Sequence, residues 1–297
     1  MSVTVRVPAK VNVQLAVGQA RADGYHDLAN VFLAVSLYDE VTATPADGLR
    51  VTCEGADAGQ VPLDGTNLAA RAATALAERY GRDPAVHLHI AKDIPVAGGM
   101  AGGSADAAGA LLACDALWGT GASRAELLEL CAELGSDVPF GLVGGAALGT
   151  GRGERLVELA VGGEFHWVFA QAGRGLSTPA VYREFDRLAE GREIPEPAAA
   201  QPVLDALAKG DPDALAVALA NDLQPAALSL CPELSDTLAA GRAAGALAAL
   251  VSGSGPTTAF LAADARSAAE VAAVLRASGT CREARTASGP APGATVL

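Results

Sequence analysis

The stretch Pro95-Val-Ala-Gly-Gly-Met-Ala-Gly-Gly-Ser104-Ala-Asp106-Ala-Ala-Gly109 decides how this chain is read. It follows the strand-like alternation His87-Leu88-His89-Ile90 and runs into an alanine-rich helix that Gly119 and Gly121 close. Gly98, Gly99, Gly102 and Gly103 let the backbone turn tightly and approach a ligand. Small side chains at Ala101, Ala105 and Ala107 keep the first helical turn clear. The unpaired amides of a helix start, with the helix dipole behind them, favour phosphate. Ser104 is the expected helix opening, where it would cap the helix or reach a metal-bound phosphate oxygen. A glycine turn that binds nothing is the alternative; the strand before and the helix after argue against it. No Gly-Lys-Ser/Thr follows, so the loop is not a Walker A element, and no G-x-G-x-x-G fingerprint marks a dinucleotide site.

Outward from the loop, residues 3–7, 11–16, 31–35 and 39–44 read as four strands. Thr66-Asn67 caps a helix from Leu68, and Ser123 caps another that Gly135 closes. Past the glycine-rich residues 144–153, a candidate domain junction, come a strand near 167–170 and alanine-leucine helices between 178 and 249. The tail Ser288-Gly-Pro-Ala-Pro-Gly293 reads as a surface segment. Strands and helices mix without a strict βαβ repeat, which predicts an α+β fold.

The 297 residues suffice for two domains of ordinary size, expected at 1–150 and 151–297. A hydrophobic share of 51% supports a large core, and a net charge of -13 excludes a general nucleic-acid surface. Any phosphorylated ligand therefore needs local positive potential. Five scattered cysteines without C-x-x-C spacing suit a reducing compartment. The N-terminus lacks the pattern of a secretory signal, and no uncharged apolar run reaches membrane-spanning length. A cytoplasmic protein, free of membrane and nucleic acid and either monomer or homodimer, is expected.

The glycine loop resembles the phosphate-binding motif of the GHMP kinases. Pro8-Ala-Lys10-Val-Asn12 and Val251-Ser-Gly253-Ser-Gly255-Pro256 resemble the first and third motifs of that superfamily, in the right order. Arg21-Ala-Asp-Gly-Tyr25-His26 and Leu134-Gly-Ser-Asp137-Val-Pro139 are similar to the branch that phosphorylates a cytidine diphosphate-linked methylerythritol in non-mevalonate isoprenoid synthesis. The resemblance implies the two-domain GHMP kinase fold, with a nucleotide-binding N-terminal domain, a C-terminal substrate domain and a cleft between them. It also implies ATP with Mg2+. Homoserine, mevalonate or phosphomevalonate kinases, or a non-catalytic nucleotide-binding relative, are the alternatives. Ala97 and Ala101 stand where many relatives carry glycine, Ser136 and Pro256 where alanine is common. Alanine at 97 and 101 fits only if those φ angles are negative.

The resemblance makes Asp137 the base for the acceptor alcohol, with Lys10 beside it; from sequence alone the favoured reading of Asp137 is a helix cap before Pro139. It assigns residues 95–105 (Pro95, Val96, Ala97, Gly98, Gly99, Met100, Ala101, Gly102, Gly103, Ser104 and Ala105) to ATP. It adds Asn67 and Lys92 near adenine and ribose. Asn67 is otherwise a helix cap and Lys92 a solvated strand-end charge. Tyr25 and Tyr182 would sandwich cytosine, and Asn12 and His26 would bond base or sugar edges. Thr178 would hold a diphosphate or ribose oxygen, or else cap a helix. Gly253 and Gly255 would brace the phosphate loop or touch substrate, or else form a plain strand-to-helix turn. No ligand set dedicated to a metal is visible; Ser104 and Asp137 are the available hard oxygen donors for magnesium.

Overall fold

The computed structural model describes residues 2–96 and 98–297. Two very long strands organise it: β1 (Val3–Ala20) and β2 (His26–Pro45), antiparallel through most of their length. Sequence alternation breaks each into two pieces, at Pro8 and near Leu37. The structure runs through both points instead, because the register shift between Pro8 and Ala9 absorbs the proline as a bulge.

The chain then forms β3 (Arg50–Glu54), α1 (Leu68–Arg79), β4 (Val86–Ala91), α2 (Gly102–Trp118), α3 (Arg124–Leu134) and α4 (Val138–Val143). β5 (Ala146–Thr150) and β6 (Arg155–Leu159) follow. The second half contributes β7 (Phe165–Gln171), α5 (Thr178–Leu188), α6 (Gln201–Lys209), α7 (Pro212–Ala218), β8 (Ala220–Asn221) and α8 (Gln224–Leu230). It ends with α9 (Leu234–Ala243), β9 (Ala248–Val251), β10 (Thr258–Ala262), α10 (Ala265–Ser278), β11 (Glu283–Gly289) and β12 (Thr295–Val296).

An eight-stranded sheet runs β12-β1-β2-β4-β3, with β5 on β2, β6 on β5 and β8 on β1. A four-stranded antiparallel sheet runs β11-β7-β10-β9. Thus β6 still belongs to the first sheet, and the expected boundary at 150 falls inside a hairpin of that sheet. One core cluster joins the first sheet to α1 and α2 and reaches Trp167 and Phe169 of β7. α2 buries alanines along both sides, so it sits close on β1 and β2 without large side chains between.

The tail runs along the surface, with Pro290 and Pro292 exposed, but Gly289 and Ala291 are buried and its backbone is paired rather than loose. Gly145 N donates to Ala291 O, Ala291 N to Ala34 O and Ala294 N to Gly141 O, and β12 pairs with β1. Its glycines and prolines let the backbone lie against other backbone: a Cβ on Gly293 would stand 2.3 Å from Leu142 O. The C-terminus therefore straps the second half of the chain onto the first.

Candidate active site

A cleft of about 700 Å³ opens between the glycine loop, the β1–β2 hairpin, α4, α5 and the turn after β9. The glycine loop is its floor. α2 begins at Gly102, two residues before the expected Ser104, and its N-cap is Ala101, whose φ of 61° lies in the left-handed region. The expectation of a negative φ at Ala101 thus fails, and the residue sits in a conformation alanine resists. Ala97 lies outside the described residues. With no side-chain cap on α2, the amides of Gly102, Gly103 and Ser104 find no acceptor among the described residues. That is the donor set a phosphate needs, and it fits a nucleotide tail.

The third motif holds the loop in place. Residues 252–257 link β9 to β10, strand to strand rather than strand to helix. Ser252 Oγ donates to Gly99 O at 3.2 Å, and a Cβ at Gly99 would fall 2.2 Å from Ser252 O, so only glycine allows this approach. Gly98, Gly99, Ala101, Gly102, Gly103 and Ser104 face the cleft. Pro95, Met100 and Ala105 are buried, and Val96 lines a small polar pocket on the loop's other side.

Asn67 is buried and caps α1, accepting from Ala69 N at 2.8 Å and donating to Pro62 O. Its neighbour Leu68 faces the cleft. Lys92 is no solvated charge. It is buried and donates to Asp39 and, at 2.8 Å, to Asp106 Oδ2. Asp39 Oδ1 accepts from the amides of Asp93 and Ile94, at 2.7 and 2.8 Å. This ion cluster lies beneath the loop: a Cβ on Gly102 would come 2.8 Å from Lys92 Nζ. Burial penalises the Lys92 ammonium, but Asp106 and Asp39 outweigh it and raise its pKa. Burial pushes the Asp106 carboxyl up to about 8 against the pull of Lys92, with Asp39 adding to the rise. Asp106 Oδ1 has no partner among the described residues, which leaves an ionised carboxylate short of hydrogen bonds.

Lys10 stands where β1 passes the loop and is only 5% exposed. Its Nζ donates to Asn12 Oδ1 at 2.7 Å and to Gly99 O at 2.9 Å. The third direction leads to Asp137 Oδ2, 3.5 Å away. Asp137 occupies the N-cap position of α4, yet its side chain makes no capping bond. The carboxylate stays open to the cleft, and the gap to Lys10 can admit a hydroxyl that touches both.

The far end of the cleft is aromatic. His26 and Tyr182 rings lie 5.0 Å apart, tilted by 33°, and His26 Nε2 bonds Asp186 Oδ1 at 2.8 Å. Burial, with Asp137 nearby, raises the Tyr182 hydroxyl pKa. Tyr25 is 51% exposed, with the Arg152 guanidinium 5.1 Å from its ring centre. Thr178 opens α5 and shares a 2.8 Å hydrogen bond with Ser254, so its hydroxyl faces the third motif rather than capping a helix.

The structure brings Lys10, Asn12, Tyr25, His26, Asp137, Thr178, Tyr182, Gly253 and Gly255 to one cleft; Asn67 and Lys92 do not line it. Sequence reasoning missed Asn30, Arg152, Arg183 and Asp186. Asn30, an amide inside the apolar run Leu28-Ala-Asn-Val-Phe32, carried a usable signal. Arg152 was hidden in glycines read as a junction.

Two glycine motifs crossing over one helix start, with a lysine–aspartate pair beside them, define a small-molecule kinase of GHMP type. The GHMP kinases N terminal domain model matches residues 67–145 and the GHMP kinases C terminal model residues 203–281. The 4-diphosphocytidyl-2-C-methyl-D-erythritol kinase of Streptomyces coelicolor is 86% identical over all of both chains. That of Thermobifida fusca is 62% identical over 100% of this chain and 98% of its own. A crystal structure of a 4-(cytidine 5'-diphospho)-2C-methyl-D-erythritol kinase superposes with a TM-score of 0.78 at 36% identity, covering 96% of this chain and 98% of the other. The chain belongs to the 4-diphosphocytidyl-2-C-methyl-D-erythritol kinase family.

Proposed function

We propose that this chain transfers the γ-phosphate of ATP to the 2-hydroxyl of 4-diphosphocytidyl-2-C-methyl-D-erythritol, in the cytoplasm, on the non-mevalonate route to isoprenoid precursors. The observation that carries this reading is the 3.5 Å gap between Lys10 Nζ and Asp137 Oδ2 beside unpaired helix-start amides. Phosphoryl transfer needs positioning and charge stabilisation more than covalent chemistry. Asp137 accepts the proton of the alcohol, a role that typically supplies about 10²–10⁴-fold. Lys10, fixed by Asn12 and Gly99 O, stabilises negative charge growing on that oxygen. The amides of residues 102–104 and the dipole of α2 hold the triphosphate. Magnesium bound with ATP would screen the charge of the phosphates, and Ser104 and Asp137 are the hard oxygen donors that would reach such an ion.

Tyr25, His26 and Tyr182 suit a pyrimidine at the other end, where stacking is worth about 1–3 kcal/mol. Arg152 and Arg183 line the cleft and pair with no carboxylate among the described residues. They offer the substrate diphosphate local positive charge that a chain of net charge -13 otherwise lacks. Among the described residues no helix is long and apolar enough to cross a membrane.

The test is ADP release from ATP·Mg with a panel of alcohols. Turnover with the cytidine diphosphate-linked methylerythritol, and little with mevalonate or homoserine, is expected. Turnover with mevalonate or homoserine alone would overturn the substrate assignment and spare the superfamily.

A further inference from the structure

We infer that Asn30 is a substrate contact, its amide nitrogen donating to an oxygen of the polyol beside the reacting hydroxyl. The inference deepens the kinase reading above and rests on it. Asn30 is 4% exposed yet lines the cleft, and its Nδ2 meets no acceptor among the described residues. With its oxygen taken by Asn12, the amide NH2 is left free to donate to whatever acceptor enters the cleft.

The amide's orientation follows from its neighbours. A lysine ammonium has donors and no acceptor, so the oxygen of Asn12 must face Lys10, as it does at 2.7 Å. The Asn12 NH2 then points the other way and donates to Asn30 Oδ1, again at 2.7 Å. That leaves Asn30 presenting its NH2 alone. The charge on Lys10 thus sets the polarity of two successive amides, and the last offers a pure donor to the cleft.

Position selects the part of the substrate. His26, Leu28 and Asn30 lie two residues apart on β2 and all line the cleft, and Phe32 follows with Lys10 Nζ 5.8 Å from its ring centre. Four residues of strand put Asn30 roughly 13 Å from the aromatic end. It stands one amide from Lys10, and so next to the acceptor alcohol rather than the base.

The experiment is steady-state kinetics of Asn30→Asp and Asn30→Ala, each checked for folding by thermal melting. KM is measured with whichever alcohol the wild type phosphorylates, so a wrong substrate assignment leaves this comparison intact. Asn30→Asp keeps an acceptor for Asn12, removes the donor and adds a negative charge, whereas Asn30→Ala removes donor and acceptor without adding charge. Both variants should raise KM for the alcohol about tenfold, as for one lost hydrogen bond, with KM for ATP unchanged. An alcohol KM equal to wild type in Asn30→Asp would overturn the contact. A loss of about a hundredfold or more in Asn30→Asp, far beyond Asn30→Ala, would mean that the donor faces a phosphate, and would overturn the polyol assignment.

Discussion

Ala101 holds a φ of 61° at the turn that opens α2, in the region where an L side chain costs roughly 1–2 kcal/mol. Glycine would remove that cost and lose part of the gain to unfolded-chain entropy. Ala101→Gly should therefore raise stability by about 1 kcal/mol in urea unfolding, whereas a loss of stability would show that the angle is not strained. At this scale the sequence was legible where a residue type has one chemical use. The glycines are of that kind, whereas Asp137 reads as a helix cap until the family resemblance is added. It was opaque where the role depends on what a side chain faces. Lys92 reads as a strand-end charge, but its ammonium is spent on Asp39 and Asp106. Arg152 acquires meaning only once Tyr25 is beside it.

The element that matters most is the start of α2, and it rests on the cluster of Asp39, Lys92 and Asp106. Burial holds the Asp106 carboxyl at about 8, while an unfolded aspartic acid releases its proton near about 4. Between those values the native state keeps a proton that the unfolded chain has lost. This group's contribution to stability therefore falls as pH rises from about 4 to about 8. Thermal melts of Asp106→Asn should show a flatter decline between pH 5 and pH 8 than those of the wild type. Parallel curves would remove Asp106 from that role. Ser123 and Asn67 were readable as caps because capping is local, and the structure has both. The lengths of β1 and β2 were not, since a proline that ends a strand in most contexts becomes a bulge when a long partner continues past it. The start of α2 was misplaced because no side chain caps it.

The whole molecule is two sheets that share a core, with the cleft where the glycine loop, the β1–β2 hairpin, α5 and the turn after β9 meet, tied by chain that returns. Arg282 bonds Asp57 at 2.9 Å, and Arg285 grips Asp93 through both carboxylate oxygens just before the glycine loop. The tail adds backbone bonds that no composition argument could foresee, because its glycines and prolines serve close approach rather than disorder. Removing residues 290–297 would delete the pairing of β12 with β1 and four further backbone bonds, those joining Ala291 to Gly145 and Ala34, Ala294 to Gly141 and Leu297 to Thr4. At about 1 kcal/mol for each bond outside the ladder, unfolding free energy should drop by at least about 4 kcal/mol. An unchanged melting curve would contradict the strap. On the function proposed above, the fold and cleft serve to bring Lys10 and Asp137 to one hydroxyl beside the open amides of α2. The most direct measurement is kcat for Asp137→Asn together with its affinity for ATP. A fall of at least about 10²-fold in kcat with nucleotide binding intact is the result this account predicts; a kcat like that of the wild type would contradict it.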